Sequence, residues 1–250
     1  MKVSVVIPTY ERPNMLARLL ESIAKQTRIP DEVLLVDDGS KADYTKVVSH
    51  FQSILPNLVY VKNRKNRGAP HSRNQGILKA KGEWIALVDD DDEWRPSKLE
   101  KQLALSDEKE VGIIYTWTEA VKDGEVVLSY KAKNEGRVLA DLLLECFIPS
   151  PSVLVRRSAL LEAGLFDESF TSCQDWDMWT RVVACGYLCK VVESFETIYH
   201  KHDLPTIGTS LKAREGLIAY YKKHRRHYRK YHKIKYLKML AGDLKKCLQF

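Results

Sequence analysis

The sequence lacks both of the glycine patterns that form phosphate-cradling loops. Neither Gly-x-Gly-x-x-Gly nor the glycine-lysine loop of the nucleoside triphosphatases occurs among its twelve glycines. A nucleotide bound by this chain therefore needs another group to neutralise its phosphates.

Cysteine is scarce, and long apolar runs are missing. The five cysteines are odd in number and show no Cys-x-x-Cys spacing, so reduced thiols are expected. Cys185 and Cys189 could share a helix face, but two thiols alone make a poor zinc site. No apolar run approaches about 18 residues, so no transmembrane helix is expected. A strand-like run starts at Val3 without a signal-peptide pattern, and we expect a cytoplasmic protein.

Positive charge is concentrated at one end of the chain. The net charge is +7, but residues 212–250 alone carry thirteen Lys or Arg against Glu215 and Asp243, a balance of +11. The preceding 211 residues carry 27 basic and 31 acidic side chains. We therefore predict a domain over residues 1–210 and a basic helical tail over residues 211–250 with a partner of its own.

Three hypotheses describe this tail. Tyrosines lie among its cations, which suits the anionic inner face of the cytoplasmic membrane and a peripheral attachment there. Nucleic acid is a second partner, although an acidic domain argues against it as the principal one. In the third hypothesis the tail is a solvated helix that packs on the domain through Leu217, Tyr220 and Tyr221.

Apolar runs alternate with helical stripes in the first hundred residues. Predicted strands cover residues 3–7, 33–36, 58–61 and 84–88, and predicted helices start near Pro13, Val47, Ala69 and Pro96. This alternation predicts an α/β fold with a mostly parallel central sheet flanked by helices. Asp123-Gly124 predicts a hairpin between residues 111–117 and 126–130. Further strands are predicted over residues 152–155, 188–192 and 195–199, and a helix is predicted around Trp176 and Trp179.

The most informative segment joins a buried strand to four consecutive aspartates, Asp89 to Asp92. Four adjacent like charges repel one another, and a divalent cation relieves that repulsion because Mg²⁺ and Mn²⁺ prefer hard oxygen ligands. A solvated acidic turn and a Ca²⁺ loop are the alternatives. Similar polar clusters follow two other strands, Pro8-Thr9-Tyr10 and Asp37-Asp38-Gly39-Ser40. Strand ends on one edge of an open α/β sheet converge, so we expect one binding site there.

These motifs, in this order, resemble the family-2 glycosyltransferases of the GT-A fold over roughly residues 1–205. The resemblance rests on residues 5–13, 36–40, 66–68, 73–76 and 87–94. It implies a Rossmann-like nucleotide-binding half over residues 1–95 and an acceptor half over residues 96–210. It further implies a nucleotide-sugar donor, such as a UDP- or dTDP-sugar, an Mn²⁺ or Mg²⁺ ion, and inverting transfer to a saccharide or lipid-linked acceptor.

The resemblance also implies roles for single residues. Thr9 and Asp38 match positions that hold the nucleobase, with Asp37 beside them, and Arg73 matches a basic contact near the donor. Asp90 would face the ribose, and Asp91 the metal. Pro8 and Tyr10 complete the donor-binding set, Pro8 mainly by shaping the backbone. The four-aspartate run leaves the register open by one residue, so Asp89 is a candidate for both donor and metal. Turn formation by Asp38 and a surface charge at Arg73 are the alternatives.

The candidate general base lies in the segment Gln174-Asp175-Trp176-Asp177. It resembles the family's Glu-Asp segment, with Gln174 in place of the Glu, so Asp175 is the expected base and Asp177 the substitute. Stabilisation of a helix N-terminus by two carboxylates is the alternative. His202 matches a histidine that many relatives carry near the diphosphate, and it is either a third metal ligand or a surface histidine.

Two other functional classes remain as alternatives. A sugar nucleotidyltransferase also uses a metal on a nucleotide-binding sheet, but it should carry a glycine-rich N-terminal signature in place of Pro8-Thr9-Tyr10. A catalytically inactive scaffold would have no use for an intact Asp-x-Asp and Asp175.

Overall fold

The computed structural model describes residues 1–201 and 211–240. Within those ranges the chain forms nine strands in one sheet, with helices packed around it. The strands are β1 (Val3–Thr9), β2 (Glu32–Asp37), β3 (Leu58–Lys62), β4 (Trp84–Leu87), β5 (Glu93–Trp94), β6 (Val111–Lys122), β7 (Glu125–Tyr130), β8 (Leu154–Arg156) and β9 (Leu188–His200). The helices are α1 (Pro13–Ala24), α2 (Thr45–Gln52), α3 (Ala69–Lys79), α4 (Lys98–Leu103), α5 (Leu139–Leu142), α6 (Arg157–Glu162), α7 (Gln174–Ala184), α8 (Leu211–Lys223), α9 (Arg225–Tyr231) and α10 (Lys233–Leu240).

The sheet is parallel in its N-terminal half. The strand order is β3-β2-β1-β4-β8-β6-β9-β5, with β7 paired to β6. Strands β3, β2, β1 and β4 run parallel, whereas β8 joins β4 and β6 in antiparallel fashion. The predicted α/β class with a central sheet between helices is confirmed. Because β1 lies between β2 and β4, the loops that follow these three strands meet at one edge.

Buried apolar residues cover both faces of the sheet. All seven residues of β1 are buried, which suits the apolar Val3, Val5, Val6 and Ile7 of a strand that is covered on both faces. On one face, α1 packs its stripe of Leu16, Leu19, Leu20 and Ile23 into a core with Trp84. On the other face, α7 contributes Met178 and Trp179 to a second core.

Helix α3 lies unusually close to the central strand. A Cβ atom at Gly76 would come within 2.4 Å of Val6 Cγ1, so only glycine fits at this contact. Gly39, in the loop after β2, has φ +80, and a Cβ there would meet the backbone of Lys65 at 2.7 Å. Both glycines permit close contacts, Gly76 between α3 and β1 and Gly39 between the loop after β2 and the backbone of Lys65.

The second half differs in detail from the sequence prediction. The hairpin of β6 and β7 around Asp123-Gly124 is confirmed. The two strands predicted over 188–192 and 195–199 form one strand, β9, because irregularities in its pairing with β6 absorb the break. Residues Ser150–Ser152 form a 3-10 helix, and β8 starts only at Leu154.

The tail helices pack on the domain. Tyr220, Tyr221 and Tyr228 are buried in a cluster with Leu143 and Phe170. Tyr220 Oη lies 2.8 Å from Thr180 Oγ1, and its ring stacks on Trp176. The hypothesis of a helix packed through Tyr220 and Tyr221 therefore describes this contact correctly. Of the helices in the two described ranges, none is long and apolar enough to cross a bilayer.

Candidate active site

One cavity of about 530 Å³ opens at the carboxyl edge of the parallel strands. It brings together predicted residues from both halves of the domain. Those that line it are Pro8, Thr9, Tyr10, Asp38, Arg73, Asp89, Asp91 and Asp175. Of the remaining predicted residues, Asp37, Asp90 and Asp177 do not line the cavity, and His202 lies outside the described residues.

Asp38 lines the cavity and organises the loop after β2. One of its oxygens accepts a hydrogen bond from Gly68 N at 2.6 Å, and both accept from Arg67 N at 3.1 Å. Asn63 Nδ2 donates to Asp38 as well, at 2.9 Å. Asp38 is therefore more than a turn residue, because it ties the start of α3 to the end of β2.

Asp37 is bonded within the turn that follows β2. Its carboxylate is fully buried and accepts hydrogen bonds from Ser40 N at 2.9 Å and Tyr60 Oη at 2.6 Å. These bonds close the turn after β2. Asp37 does not line the cavity, and its donor role stays a prediction.

Asp90 is also turned away from the cavity. It is fully buried, accepts a hydrogen bond from Thr9 Oγ1 at 2.6 Å and lies 2.6 Å from Arg12 Nη2. Burial raises the pKa of Asp90 to about 7, against the lowering effect of Arg12 and Thr9. Asp90 thus joins β1 to the loop after β4 without lining the cavity, and its contact with the ribose stays a prediction.

Arg12 places a positive charge on the acidic run. Its Nη1 atom lies 2.6 Å from Asp91 Oδ2, while Nη2 pairs with Asp90. Arg18 Nη2 donates to the backbone oxygen of Asp91 at 2.6 Å. Repulsion between the aspartates is therefore already reduced by arginines from the loop after β1 and from α1.

Asp92 contrasts with its neighbours. Both of its carboxylate oxygens are buried, and neither accepts a hydrogen bond from residues 1–201 or 211–240. Burial, followed by the charges of Asp89 and Asp91, raises the pKa of Asp92 well above its usual range. Asp92 N donates to Asp89 O at 3.2 Å, so the four aspartates form a tight turn.

Arg73 connects the acidic turn to α7. It is only 3% exposed, so the surface-charge alternative is wrong. Nη2 lies 2.6 Å from Asp89 Oδ1, and Nη1 lies 3.6 Å from Asp175 Oδ1 and 3.3 Å from Gln174 Oε1. The guanidinium also lies over the ring of Phe166, 5.4 Å from its centroid.

Asp175 occupies the first turn of α7, where the helix dipole favours a carboxylate. The helix follows Cys173, which has a left-handed φ of 56. Burial raises the pKa of Asp175, while the positive charge of Arg73 opposes that change. A carboxylate with a raised pKa that lines a cavity has the properties of a general base.

Asp177 is held by the tail. It is fully buried, and its oxygens lie 2.9 Å from His224 Nε2, 3.0 Å from Lys223 Nζ and 2.8 Å from Arg181 Nε. Burial alone would raise the pKa of Asp177, yet the bonds from His224 and Arg181 lower it. The carboxylate of Asp177 does not line the cavity, and its role as substitute base stays a prediction.

The acidic turn can accept a divalent cation. No group of three or more potential ligands is present in the described part of the chain. Mg²⁺-type sites, however, commonly use one or two carboxylates and take their other oxygens from substrate phosphates and water. Asp89 and Asp91 both line the cavity and offer oxygen donors of that kind, so the residues fit the ion.

Several cavity residues were missed by the sequence prediction. Asn66, Ser172, Cys173 and Tyr199 line the cavity, as does Arg12. Arg12 could have been found, because it follows the Pro8-Thr9-Tyr10 cluster on the same edge. Ser172 and Cys173 carry no pattern of their own and reach the cavity only through the turn before α7.

Comparison with known proteins shows the family of the chain. The profile of "Glycosyl transferase family 2" matches residues 4–163. The chain belongs to this family. A Bacillus subtilis glycosyltransferase, YwdF, is 34% identical over 80% of the chain and 74% of the relative. The putative colanic acid biosynthesis glycosyl transferase WcaA of Escherichia coli is 29% identical over 89% of the chain and 81% of the relative.

Solved structures share the fold. Staphylococcus aureus TarS in complex with UDP-GlcNAc superimposes with a TM-score of 0.73 at 24% identity, over 90% of this chain and 66% of TarS. The Pyrobaculum calidifontis mannosyltransferase PcManGT, in complex with GDP-Man and Mn²⁺, gives a TM-score of 0.69 at 19% identity, over 90% of this chain and 64% of the neighbour. Coverage of relatives varies: the chain spans 31% of a Rickettsia bellii glycosyltransferase to which it is 29% identical over 87% of its own length.

Proposed function

We propose that this chain transfers a sugar from a nucleotide-sugar donor to an acceptor hydroxyl with inversion at the anomeric carbon. The observation that carries the proposal is the position of Arg73, which spans from Asp89 on the donor side to Asp175 on the acceptor side of one cavity. The nucleotidyltransferase alternative loses its support, because the family match covers the same strand-end motifs.

Asp175 acts on the acceptor. Its carboxylate takes the proton of the acceptor hydroxyl while the hydroxyl oxygen attacks the anomeric carbon and the bond to the diphosphate breaks. Arg73 keeps Asp175 ionised and oriented, because its positive charge favours the carboxylate form. One carboxylate is sufficient, since a single displacement needs no covalent intermediate.

Asp89 and Asp91 serve the donor. An Mn²⁺ or Mg²⁺ ion bound there supplies positive charge for the departing diphosphate. Thr9, Tyr10 and Asp38 also line the cavity, and the nucleobase would lie against them. His202 remains a candidate third ligand on the basis of its sequence position.

The donor is proposed to be a UDP- or dTDP-sugar. TarS, whose structure contains UDP-GlcNAc, supports this choice, whereas PcManGT with GDP-Man supports a guanine nucleotide. Calorimetry of the chain against UDP, dTDP and GDP, each with Mn²⁺, distinguishes these donors. Binding of none of the three would refute the proposed function.

The acceptor is proposed to be a saccharide or lipid-linked saccharide of a surface polysaccharide or glycolipid. WcaA and the amylovoran biosynthesis glycosyltransferase AmsB of Erwinia amylovora, 30% identical over 84% of this chain and 72% of AmsB, support this class. Transfer of radiolabelled sugar to lipid-linked and free oligosaccharides would identify the acceptor type.

We further propose that the tail rests on the anionic inner face of the cytoplasmic membrane. Tyr231, Ile234 and Leu237 are 41%, 74% and 60% exposed, and Arg229, Lys230 and Lys233 are exposed beside them. A surface that mixes exposed apolar side chains with cations suits an interface with anionic lipid, and each cation contributes about 1 kcal/mol at most.

Charge substitution tests this better than deletion, because deletion would also remove the buried Tyr220 and Tyr228 and expose Leu143 and Phe170, against which they pack. Replacing Arg229, Lys230 and Lys233 by Gln should reduce sedimentation with anionic vesicles about tenfold or more at low salt. The matched control replaces Lys41, Lys65 and Lys81, which are exposed on the domain. Equal sedimentation of both triple variants would refute the membrane contact. If the unmodified chain bound nucleic acid and the tail variant did not, nucleic acid would be favoured as the partner of the tail.

A further inference from the structure

Strand β7 presents an open apolar edge. All six of its residues are exposed, and Val126, Val127, Leu128 and Tyr130 are between 40% and 52% exposed. Among the described residues β7 pairs with β6 alone. Proteins usually protect such edges with charges, prolines or bulges, because an unpaired strand invites another strand.

The opposite edge of the sheet is different. Strand β3 buries Leu58, half-buries Tyr60 and Val61, exposes Val59 alone among its apolar residues, and carries lysine at its end. Its neighbour α2 covers one face. The exposed apolar edge is therefore a property of the β6–β7 hairpin and not of the sheet as a whole.

We propose that β7 pairs antiparallel with β7 of a second copy of this chain, with Leu128 on the two-fold axis. Identical strands that pair about a two-fold axis form a self-complementary interface. In this register Leu128 faces the partner's Leu128, Val126 faces the partner's Tyr130, and Glu125 faces the partner's Lys131.

Charge selects this register. Glu125 and Lys131 are both exposed and lie at equal distances in sequence from Leu128, so each appears opposite the other twice in the dimer. A slip by one residue would place Glu125 opposite Tyr130 or Ala132 and would lose both ion pairs. Cross-strand pairs of opposite charge stabilise antiparallel strands, and like charges destabilise them.

The hairpin lies close to the cavity. Ala120 of β6 pairs with Leu128 of β7 on one side and with Tyr199 of β9, which lines the cavity, on the other. The partner's strand would therefore join the sheet on the side of β6 that faces away from Tyr199. A strand pair of this length buries less area than a standard interface, so the dimer is expected to be weak, with a dissociation constant on the order of 10–100 µM.

Sedimentation velocity from about 5 to 500 µM measures the association. Glu125→Lys and Lys131→Glu should each raise the dissociation constant about tenfold, because each replaces two ion pairs by two like-charge contacts. Mixing the two variants should restore the dimer, since every Lys at position 125 or 131 of one chain then faces a Glu of the other. The double variant should also dimerise like the original chain.

Leu128→Asp is the variant that should abolish pairing, and Ile54→Asp, at an exposed apolar residue of the domain, is its matched control. Circular dichroism and thermal unfolding verify that each variant is folded. A monomer at all concentrations would overturn the proposal, as would a dimer that Leu128→Asp leaves unchanged or charge variants that fail to recover on mixing. If Leu128→Asp lost binding to anionic vesicles and kept its self-association, the exposed edge would be a contact with lipid instead.

Discussion

Arg73 lies within ion-pair distance of Asp175, with 3.6 Å between Nη1 and Oδ1, while its other terminal nitrogen bonds Asp89 at 2.6 Å. One buried cation thus serves a carboxylate from each half of the domain. A change at Arg73 itself is therefore expected to affect both carboxylates.

Asp175→Asn should reduce transfer by about 10²–10⁴-fold while nucleotide affinity stays within a factor of two to three. The amide cannot accept the acceptor's proton, but it does not contact the nucleotide. Turnover assays and calorimetry measure the two effects, and Asp167→Asn on the nearby loop is the control. Near-normal transfer by Asp175→Asn would assign the base to another group.

Transfer should fall at acidic pH in a range above that of an ordinary aspartate. Burial raises the pKa of Asp175, with Arg73 in opposition, and the base works only when deprotonated. The rate therefore rises as the pH increases through this raised pKa. A profile of kcat against pH for the original chain measures this rise. A rate that has already reached its plateau at pH 4 would contradict a raised pKa of the base.

Arg73→Lys should weaken both donor binding and turnover, because an ammonium group cannot hold Asp89 and Asp175 at once. Loss of a buried, charge-assisted contact predicts a reduction in kcat/KM of about 10–100-fold. Arg67→Lys, at a more exposed arginine near the same loop, is the control. An effect on KM alone would show that Arg73 does not reach the acceptor side.

Asp91→Ala should abolish Mn²⁺-dependent donor binding, and removal of the metal by chelation should abolish it in the unmodified chain. Arg12→Gln should instead strengthen Mn²⁺ binding, because Arg12 now pairs with Asp91 and repels the ion. Titration of Mn²⁺ followed by electron paramagnetic resonance measures both. Weaker Mn²⁺ binding by Arg12→Gln would show that Arg12 supports the ion.

Asp177→Asn should lower the free energy of unfolding by about 2–3 kcal/mol, since a buried carboxylate loses its bonds to His224, Lys223 and Arg181. The same contacts predict acid sensitivity. The pKa of Asp177 is lowered, and bonds from Lys223 and Ser169 overcome burial to lower that of Asp167 to about 2.

Both groups therefore stabilise the fold above the unfolded aspartate pKa of about 3.9. That stability is lost as the pH falls from about 4 towards 2. Denaturant unfolding at several pH values measures the loss, and the loss should be smaller in Asp177→Asn. If the free energy of unfolding depended on pH identically in the two proteins, Asp177 would not contribute to the loss of stability in acid.

The edge that forms the site could be predicted from the sequence, because three polar clusters end three neighbouring strands. Which aspartates face the cavity could not be predicted from four identical letters. The tight turn between Asp89 and Asp92 points alternate side chains to the cavity and into the protein. Only the turn geometry distinguishes Asp91 from Asp90.

For Asp177 and for the tail, the sequence did contain the helical spacing that indicates which side chains are buried. Residues two apart on a helix point about 200° away from each other, so Asp175 and Asp177 could not both face one cavity. In the tail, Tyr220, His224 and Tyr228 recur every four residues, which indicates one buried face. The large number of cations obscured that spacing.

The bond between Asp177 and His224 also has a consequence for folding during translation. The two residues lie 47 positions apart, a separation that translation at about 5–20 residues per second covers in roughly 2–10 s. During that interval α7 has been synthesised without its tail partners. We therefore expect the nascent chain to complete its parallel strands first and to fix the helix that carries Asp175 last, and pulsed proteolysis of stalled ribosome complexes would show that order.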